Sequence, residues 1–221
     1  MFGESNQSEE KRKQMQTIGV TVRGLDPGLL MGNPQAMLTP ADNGPGPKAK
    51  DLPLADQAAR LVYWADEAKG TLGFPATAFA RATMEATKGQ TVKIGGKGRA
   101  KSVASVLAGM WEVEPKTLIP LTHKGKPIKE YVVDIRTGLN RNCKPPARIV
   151  LARPLVVAPW EASFDILWDE EAAPTDTPSF LRHYLERAGK SVGVGCFRPL
   201  VQGQATGGWF GKFEVVGWEE N

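Results

Sequence analysis

The chain is poor in the residues from which most catalytic, metal-binding and secreted proteins are built. Only two cysteines occur in 221 residues, Cys143 and Cys196, and they lie far apart. That number excludes a disulfide framework, and the absence of any CxxC pair removes the usual structural zinc site, so both are read as reduced thiols. Histidine is equally scarce, with His123 and His183 alone, and no HExxH or DxD cluster accompanies them. A general acid–base centre would have to use one of these two, oriented by a partner beside a nucleophile. His183 falls on the solvent side of a predicted helix between Arg182 and Arg187, which argues for a surface role. No stretch of eighteen apolar residues exists, and the opening "MFGESNQSEEKRKQMQ" has no apolar signal core. A membrane span and a secretory signal are both unsupported, and a cytoplasmic location is expected.

Two glycine-rich stretches invite a nucleotide reading and fail it. In "GGKGRAKS" at 95–102, Ala100 stands where a phosphate-binding loop needs its second glycine before the lysine, and the preceding segment reads as a helix. "GVG" at 193–195 follows a helix instead of joining a strand to one, so the dinucleotide fingerprint does not apply. No cofactor is expected. The acidic "WDEEAAPTD" at 168–176 reads as a solvated turn.

What the chain does contain is charge, unevenly placed. Between Arg81 and Arg153 lie fifteen Lys or Arg and five Asp or Glu, so this stretch carries a net +10 and the remainder −6 of the overall +4. An excess of this kind suits a phosphate backbone or an acidic protein partner. Glycine, aromatic and basic residues are also concentrated in "GVGCFRPLVQGQATGGWFGKFEVVGW", 193–218, at an entropic cost that asks for a reason.

Periodicity supplies the plan. "TIGVTVRG" alternates Ile18, Val20 and Val22 with Gly19, Thr21 and Arg23, a strand with one buried face. "LADQAARLVYWADEA" has helical spacing, and "TLGFPATAFARATMEATKG" predicts a turn, then a helix from Pro75 with Phe79, Ala82, Thr83 and Ala86 on one face. Strands are expected at "SVASVLAGMWEVE", "TLIPLT", "EYVVDIR", "ARIVLARPLVVAP" and "EASFDILW". Thr177 as N-cap, Pro178 as first residue, an apolar stripe and Gly189 as terminator mark a last helix before the strand "FGKFEVVGW". Strand, helix, two or more strands, helix, strand is an α+β, ferredoxin-like (RRM-like) βαββαβ plan with an antiparallel sheet. Residues 1–16 read as an N-terminal arm, and 17–221 as one domain with loop insertions at 38–54 and 89–101. "GWFGKFEV" at 208–215 partly overlaps the aromatic strand motif of RNA-recognition sheets, which would make Trp209 and Phe210 a stacking platform, while Phe213 and Trp218 suit a core.

Three segments together resemble the RAMP superfamily, the CRISPR-associated ferredoxin-like proteins that form the backbones of guide-RNA complexes: "TVRGLDPGLLMGNP", "LGFPATAFARATMEA" and the glycine-rich "GVGCFRPLVQGQATGGWFGKFEV". The Arg-Pro pairs of "CFRPL" and "LARPLVV" are similar instead to phage and prophage proteins related to that fold. The resemblance implies that Gly193, Gly195, Gly207, Gly208 and Gly211 let the main chain approach phosphate or ribose, that Arg198 supplies charge, and that one of the two insertions acts as a thumb.

The expected protein is therefore a non-catalytic subunit that coats single-stranded RNA or DNA or a guide RNA. It would assemble with copies of itself, in a helix or filament, and with other effector subunits. Lys93, Lys97, Arg99 and Lys101 would grip phosphates from the 89–101 loop, and Lys124, Lys126, Arg136, Arg141 and Lys144 would extend the track. A structural interaction protein without specific nucleic-acid binding is the alternative. A metal-independent nuclease using His123 or His183 is a further one.

Overall fold

The computed structural model of the chain describes residues 15–32, 52–93, 99–140, 147–169 and 177–220. It opens with β1 (Met15–Gly24) and β2 (Gly28–Leu30), then the short α1 (Leu54–Ala59), β3 (Trp64–Asp66), β4 (Thr71–Pro75) and α2 (Ala76–Ala86). A small hairpin of β5 (Thr91–Val92) and β6 (Lys101–Ser102) precedes α3 (Val103–Leu107), β7 (Trp111–Glu114) and β8 (Leu118–Pro120). Next come β9 (Thr122–His123), β10 (Lys126–Pro127), and the long β11 (Val132–Asn140) and β12 (Ala147–Val157). The chain closes with β13 (Glu161–Asp169), α4 (Thr177–Ser191), β14 (Leu200–Val201), β15 (Gln204–Ala205) and β16 (Phe213–Glu220). The result is an α+β protein with antiparallel sheets.

The main sheet follows from the alternation in β1 and β13. Ile18, Val20 and Val22 lie opposite Ile166, Phe164 and Ala162, and all six are buried. β16 lies antiparallel on the other side of β1, and β7 pairs antiparallel with the far edge of β13, giving the order β16-β1-β13-β7. β9 and β10 extend the same sheet past the start of β13. Helices α2 and α4 pack together on the apolar face. Phe79 pins them there. Its ring stacks on Phe164 with centroids 5.0 Å apart and meets Phe213 edge-on at 5.3 Å, so one helix residue joins β13 to β16. Such aromatic pairs add about 0.5–1.5 kcal/mol beyond area burial.

A second sheet, β11-β12-β2, rises beside the first, with Leu155 and Val157 of β12 opposite Leu30 and Gly28. α1 packs against β12 and β11, the glycine-rich segment after α4 lies along β2, where Cys196 N–H donates to the Leu30 carbonyl, and the Arg136 guanidinium sits 4.4 Å above the Phe210 ring.

Several expectations are corrected. "SVASV" is not strand: Val103–Leu107 form α3, burying Val103, Val106 and Leu107, and only Trp111–Glu114 of that stretch join the sheet. The helix expected through 65 ends at Ala59, because the bulky Tyr63 and Trp64 run into β3, where Trp64 pairs with Leu72. Thr71–Pro75, read as a turn, is a strand with four buried residues that pairs with both β3 and β8. Part of the basic loop is ordered as the β5–β6 hairpin, while 94–98 lie outside the described residues, as does most of the 38–54 insertion and the 1–14 part of the arm. Gly189 does not terminate α4: the helix runs on to Ser191, and a Cβ at 189 would sit 2.1 Å from the Phe213 carbonyl oxygen. The helix needs glycine there to approach β16. Its stop is Gly193, at φ +72, whose N–H donates to the Ala188 carbonyl.

Candidate nucleic-acid interface

The face of the main sheet turned away from the helices is the first place to look for an RNA-recognition platform. Register places Glu112, Glu114, Glu161, Asp165, Asp169, Glu214 and Glu219 on it, with Arg23 as the one cation of the four strands, bound to Glu161 at 2.9 Å. Its centre is Gly19, Thr21, Ser163 and Gly217, and no aromatic of the four strands points that way. A face with seven carboxylates repels a phosphate backbone and offers nothing to stack on. The RNA-recognition analogy for "GWFGKFEV" is therefore corrected: Trp209 and Phe210 precede β16, Trp209 is 57% exposed, and Phe210 is buried.

A different site lies on the helix side. A groove of about 1020 Å³ runs between the start of α2 (Thr77, Ala78, Arg81), the segment after α4 (Gly195–Arg198, Val201, Thr206) and the β7–β8 link (Lys116–Leu118). Its floor is Gly32, Tyr63 and Phe74. A second hollow of about 640 Å³ continues it along α2, past Met84 and Lys88 to Ala108 and Trp111, and shares Arg81 and Arg198 with the first. Helical periodicity explains Arg81: with Phe79, Ala82 and Thr83 buried, position 81 falls on the open face.

Several of the described cations are taken up by carboxylates. Arg23, Arg136 and Arg182 are ion-paired with Glu161, Asp134 and Glu186, and Lys88 and Lys116 with Glu85 and Glu112. Among the described residues, Arg81, Arg153 and Arg198 make no ion pair, and all three line the groove. Arg153 is half-buried; its Nη1 donates to Cys196 Sγ at 3.3 Å, and its Nε is buried with no partner. An unsatisfied buried guanidinium donor is costly unless something arrives to accept from it. Burial pushes the Cys196 thiol up from its ordinary value, against the pull of Arg153 and Arg198. Burial likewise raises the Tyr63 phenol, whose O–H donates to the Gly32 carbonyl at 3.1 Å. Both groups stay neutral, and the groove keeps its positive sign.

The residues expected from the sequence are scattered. Gly195 and Arg198 line the groove. Lys93, Arg99 and Lys101 are exposed around the β5–β6 hairpin and line neither hollow, and Lys124 and Lys126 are exposed on the β9–β10 hairpin at the sheet edge. Arg136 is committed to Asp134 and the Phe210 ring. Lys97, Arg141, Lys144 and Cys143 lie outside the described residues. His123 Nδ1–H donates to the Pro159 carbonyl at 2.9 Å, and neither histidine lines the groove.

Glycine in the C-terminal segment also has another reason than the one expected. A Cβ on Gly195 would sit 2.6 Å from the Leu30 carbonyl oxygen, on Gly193 3.0 Å from that of Phe210, on Gly208 1.9 Å from that of Phe197, and on Gly211 1.7 Å from that of Val194. These positions are glycine because the segment folds tightly on itself and on β2. Gly207, at φ +72 with open space around it, is glycine for its turn alone.

Sequence reasoning assigned no role to Arg81 or Arg153. A signal existed for Arg153: a single charge inside the apolar run "IVLARPLVV" has to be partnered or face a cavity.

No family model matches the sequence, and no curated protein matches it. Among solved structures, the chain is similar to one in the cryo-EM structure of the Type III-B Cmr-beta bound to cognate target RNA, with a TM-score of 0.53 and 12% identity. The likeness is one of fold. It extends over 98% of this chain and 64% of the other, so this chain spans about two-thirds of the length of the protein it matches.

Proposed function

We propose that this chain is a non-catalytic RNA-binding subunit of a multisubunit effector complex of the CRISPR type. In this reading its core is a ferredoxin-like domain of the RAMP kind, and a single strand runs in the groove between α2 and the glycine-rich segment. Three things support the reading. The order β16-β1-β13-β7, with α2 and α4 on one face, is compatible with a βαββαβ plan. A structural neighbour belongs to an RNA-bound assembly. The observation that carries the proposal is the convergence of Arg81, Arg153 and Arg198, which make no ion pair among the described residues, on a hollow lined by Tyr63 and Phe197. Guanidinium groups bind phosphate bidentately, and aromatic walls suit bases of any sequence.

The test is fluorescence anisotropy of a labelled single-stranded RNA across a salt series. Each phosphate contact on a single strand contributes about 0.7 to the slope of log K against log salt. Replacing both Arg81 and Arg198 by Ala should lower that slope by about 1.4. A slope that does not move, or the same loss from Lys93→Ala and Lys101→Ala, contradicts the groove.

A further inference from the structure

Among the described residues Arg81 makes no ion pair, although its own helix places a carboxylate beside it. Glu85 follows on α2 at i+4, the spacing at which opposite charges on a helix ordinarily pair. Both residues line the second hollow, together with Met84 and Lys88 of the same helical stripe. The Glu85 carboxylate is instead taken by Lys88, whose Nζ donates to Oε1 at 3.0 Å and to Oε2 at 2.9 Å. The Glu85 side chain is 12% exposed, against 53% for Lys88. A carboxylate withdrawn that far from water needs a partner. Its helix offers two cations, and it is bound to the lysine.

The end of α2 is built to hold Lys88 over Glu85. The helix closes at Ala86, and the turn beyond it is fixed by the buried Thr87, whose O–H donates to the Met84 carbonyl at 2.7 Å. Lys88 N–H donates to the Glu85 carbonyl at 3.2 Å, and Gly89, at φ +74, then turns the chain away. The i,i+3 spacing of the pair is thus set by ordered backbone. A cation at the C-terminal end of a helix is favoured by the helix dipole as well.

We propose that Lys88 is a positioning residue for RNA binding: by holding Glu85 it keeps that carboxylate off Arg81 and leaves the Arg81 guanidinium open to a phosphate. The inference rests on the reading of the groove given above, in which Arg81 contacts the strand. Lys88 itself touches no RNA in this role. Without it, Arg81 is the cation one turn from Glu85, and a phosphate has to displace a carboxylate already bound there.

The test compares Lys88→Ala, Glu85→Gln and the double variant, in the full chain, by anisotropy of a labelled single-stranded RNA. Lys88→Ala should bind about two- to fivefold more weakly, the strength of a helical ion pair near the surface. Glu85→Gln should bind no more weakly than the wild type. The double variant should return to the affinity of Glu85→Gln, because nothing is left to capture Arg81. Circular dichroism checks that all three fold. A double variant as weak as Lys88→Ala, the result that a lysine in direct contact with phosphate requires, overturns the proposal. Arg81→Ala separates the two claims. If it weakens binding and Lys88→Ala does not, the proposal fails and the groove stands; if neither weakens binding, the reading of the groove fails and the proposal with it. Modification by phenylglyoxal, followed by mass spectrometry of the peptide carrying Arg81, reads the same exchange without RNA. The reaction at Arg81 should slow in Lys88→Ala and recover in the double variant, and equal rates in the wild type and Lys88→Ala overturn the proposal.

Discussion

Placing Ala at Gly211 and at Gly207 in turn separates the two explanations of the glycine-rich segment. Both residues adopt left-handed backbone, at φ +68 and +72, and a side chain in that region costs about 1–2 kcal/mol. Beyond that they differ. The added methyl at 207 meets nothing within 4 Å, whereas at 211 it would lie 1.7 Å from the Val194 carbonyl oxygen, which accepts no relief from a flexible side chain. Gly211 N–H also donates to Gly28 and its carbonyl accepts from Val194, so a shift there disturbs the seam between the segment and β2. Overpacking of this sort adds about 1–3 kcal/mol. Gly211→Ala should therefore cost about 2–5 kcal/mol, and Gly207→Ala about 1–2. For a chain of this size each kcal/mol moves Tm by roughly 2–4 °C, so thermal melts resolve the pair. Urea titration gives the free energies directly. If Gly207→Ala abolished RNA binding without loss of stability while Gly211→Ala were tolerated, glycine would be present for ligand approach and the packing argument would fail.

Phe210→Ala should destabilise by about 3–5 kcal/mol, since the ring is 2% exposed beneath Arg136, while Trp209→Ala at 57% exposure should stay within about 0.5; equal effects in a urea series would contradict the assigned burial. Burial raises both Cys196 and Tyr63, so their contribution to stability is complete below their ordinary values of 9.0 and 10.0 and is lost as pH rises through them. Tm should accordingly fall above about pH 9, and less so in the Cys196→Ser variant; an unchanged alkaline limb would argue against a buried thiol.

The strands with one wet face were legible because alternation survives in them: Val20 and Phe164 are buried, Thr21 and Ser163 are not. α2 and α4 were legible for the matching reason, an unbroken stripe at helical spacing. Thr71–Pro75 was not, because a strand buried on both faces has no alternation to show, and five residues with a glycine and a proline look like a turn. Val103–Leu107 misled in the other direction, since a short apolar run with two valines suits strand or helix alike. Charge was visible as an amount but not as a place. The lysines of 93–101 and 124–126 dominate any count, yet the groove takes its arginines from α2, β12 and the segment after α4, positions 81, 153 and 198, which only the tertiary fold brings together. The acidic face is likewise invisible until register sets Glu114 opposite Asp165 and Gly19 opposite Glu219.

The most direct test of the groove is photocrosslinking of a single-stranded RNA carrying 4-thiouridine, followed by mass spectrometry of the attached peptides. Crosslinks should fall on Tyr63 and on the Gly195–Arg198 segment, which line the hollow. Crosslinks confined to β1 and β13 on the acidic face, or to the lysine hairpins alone, would contradict the account.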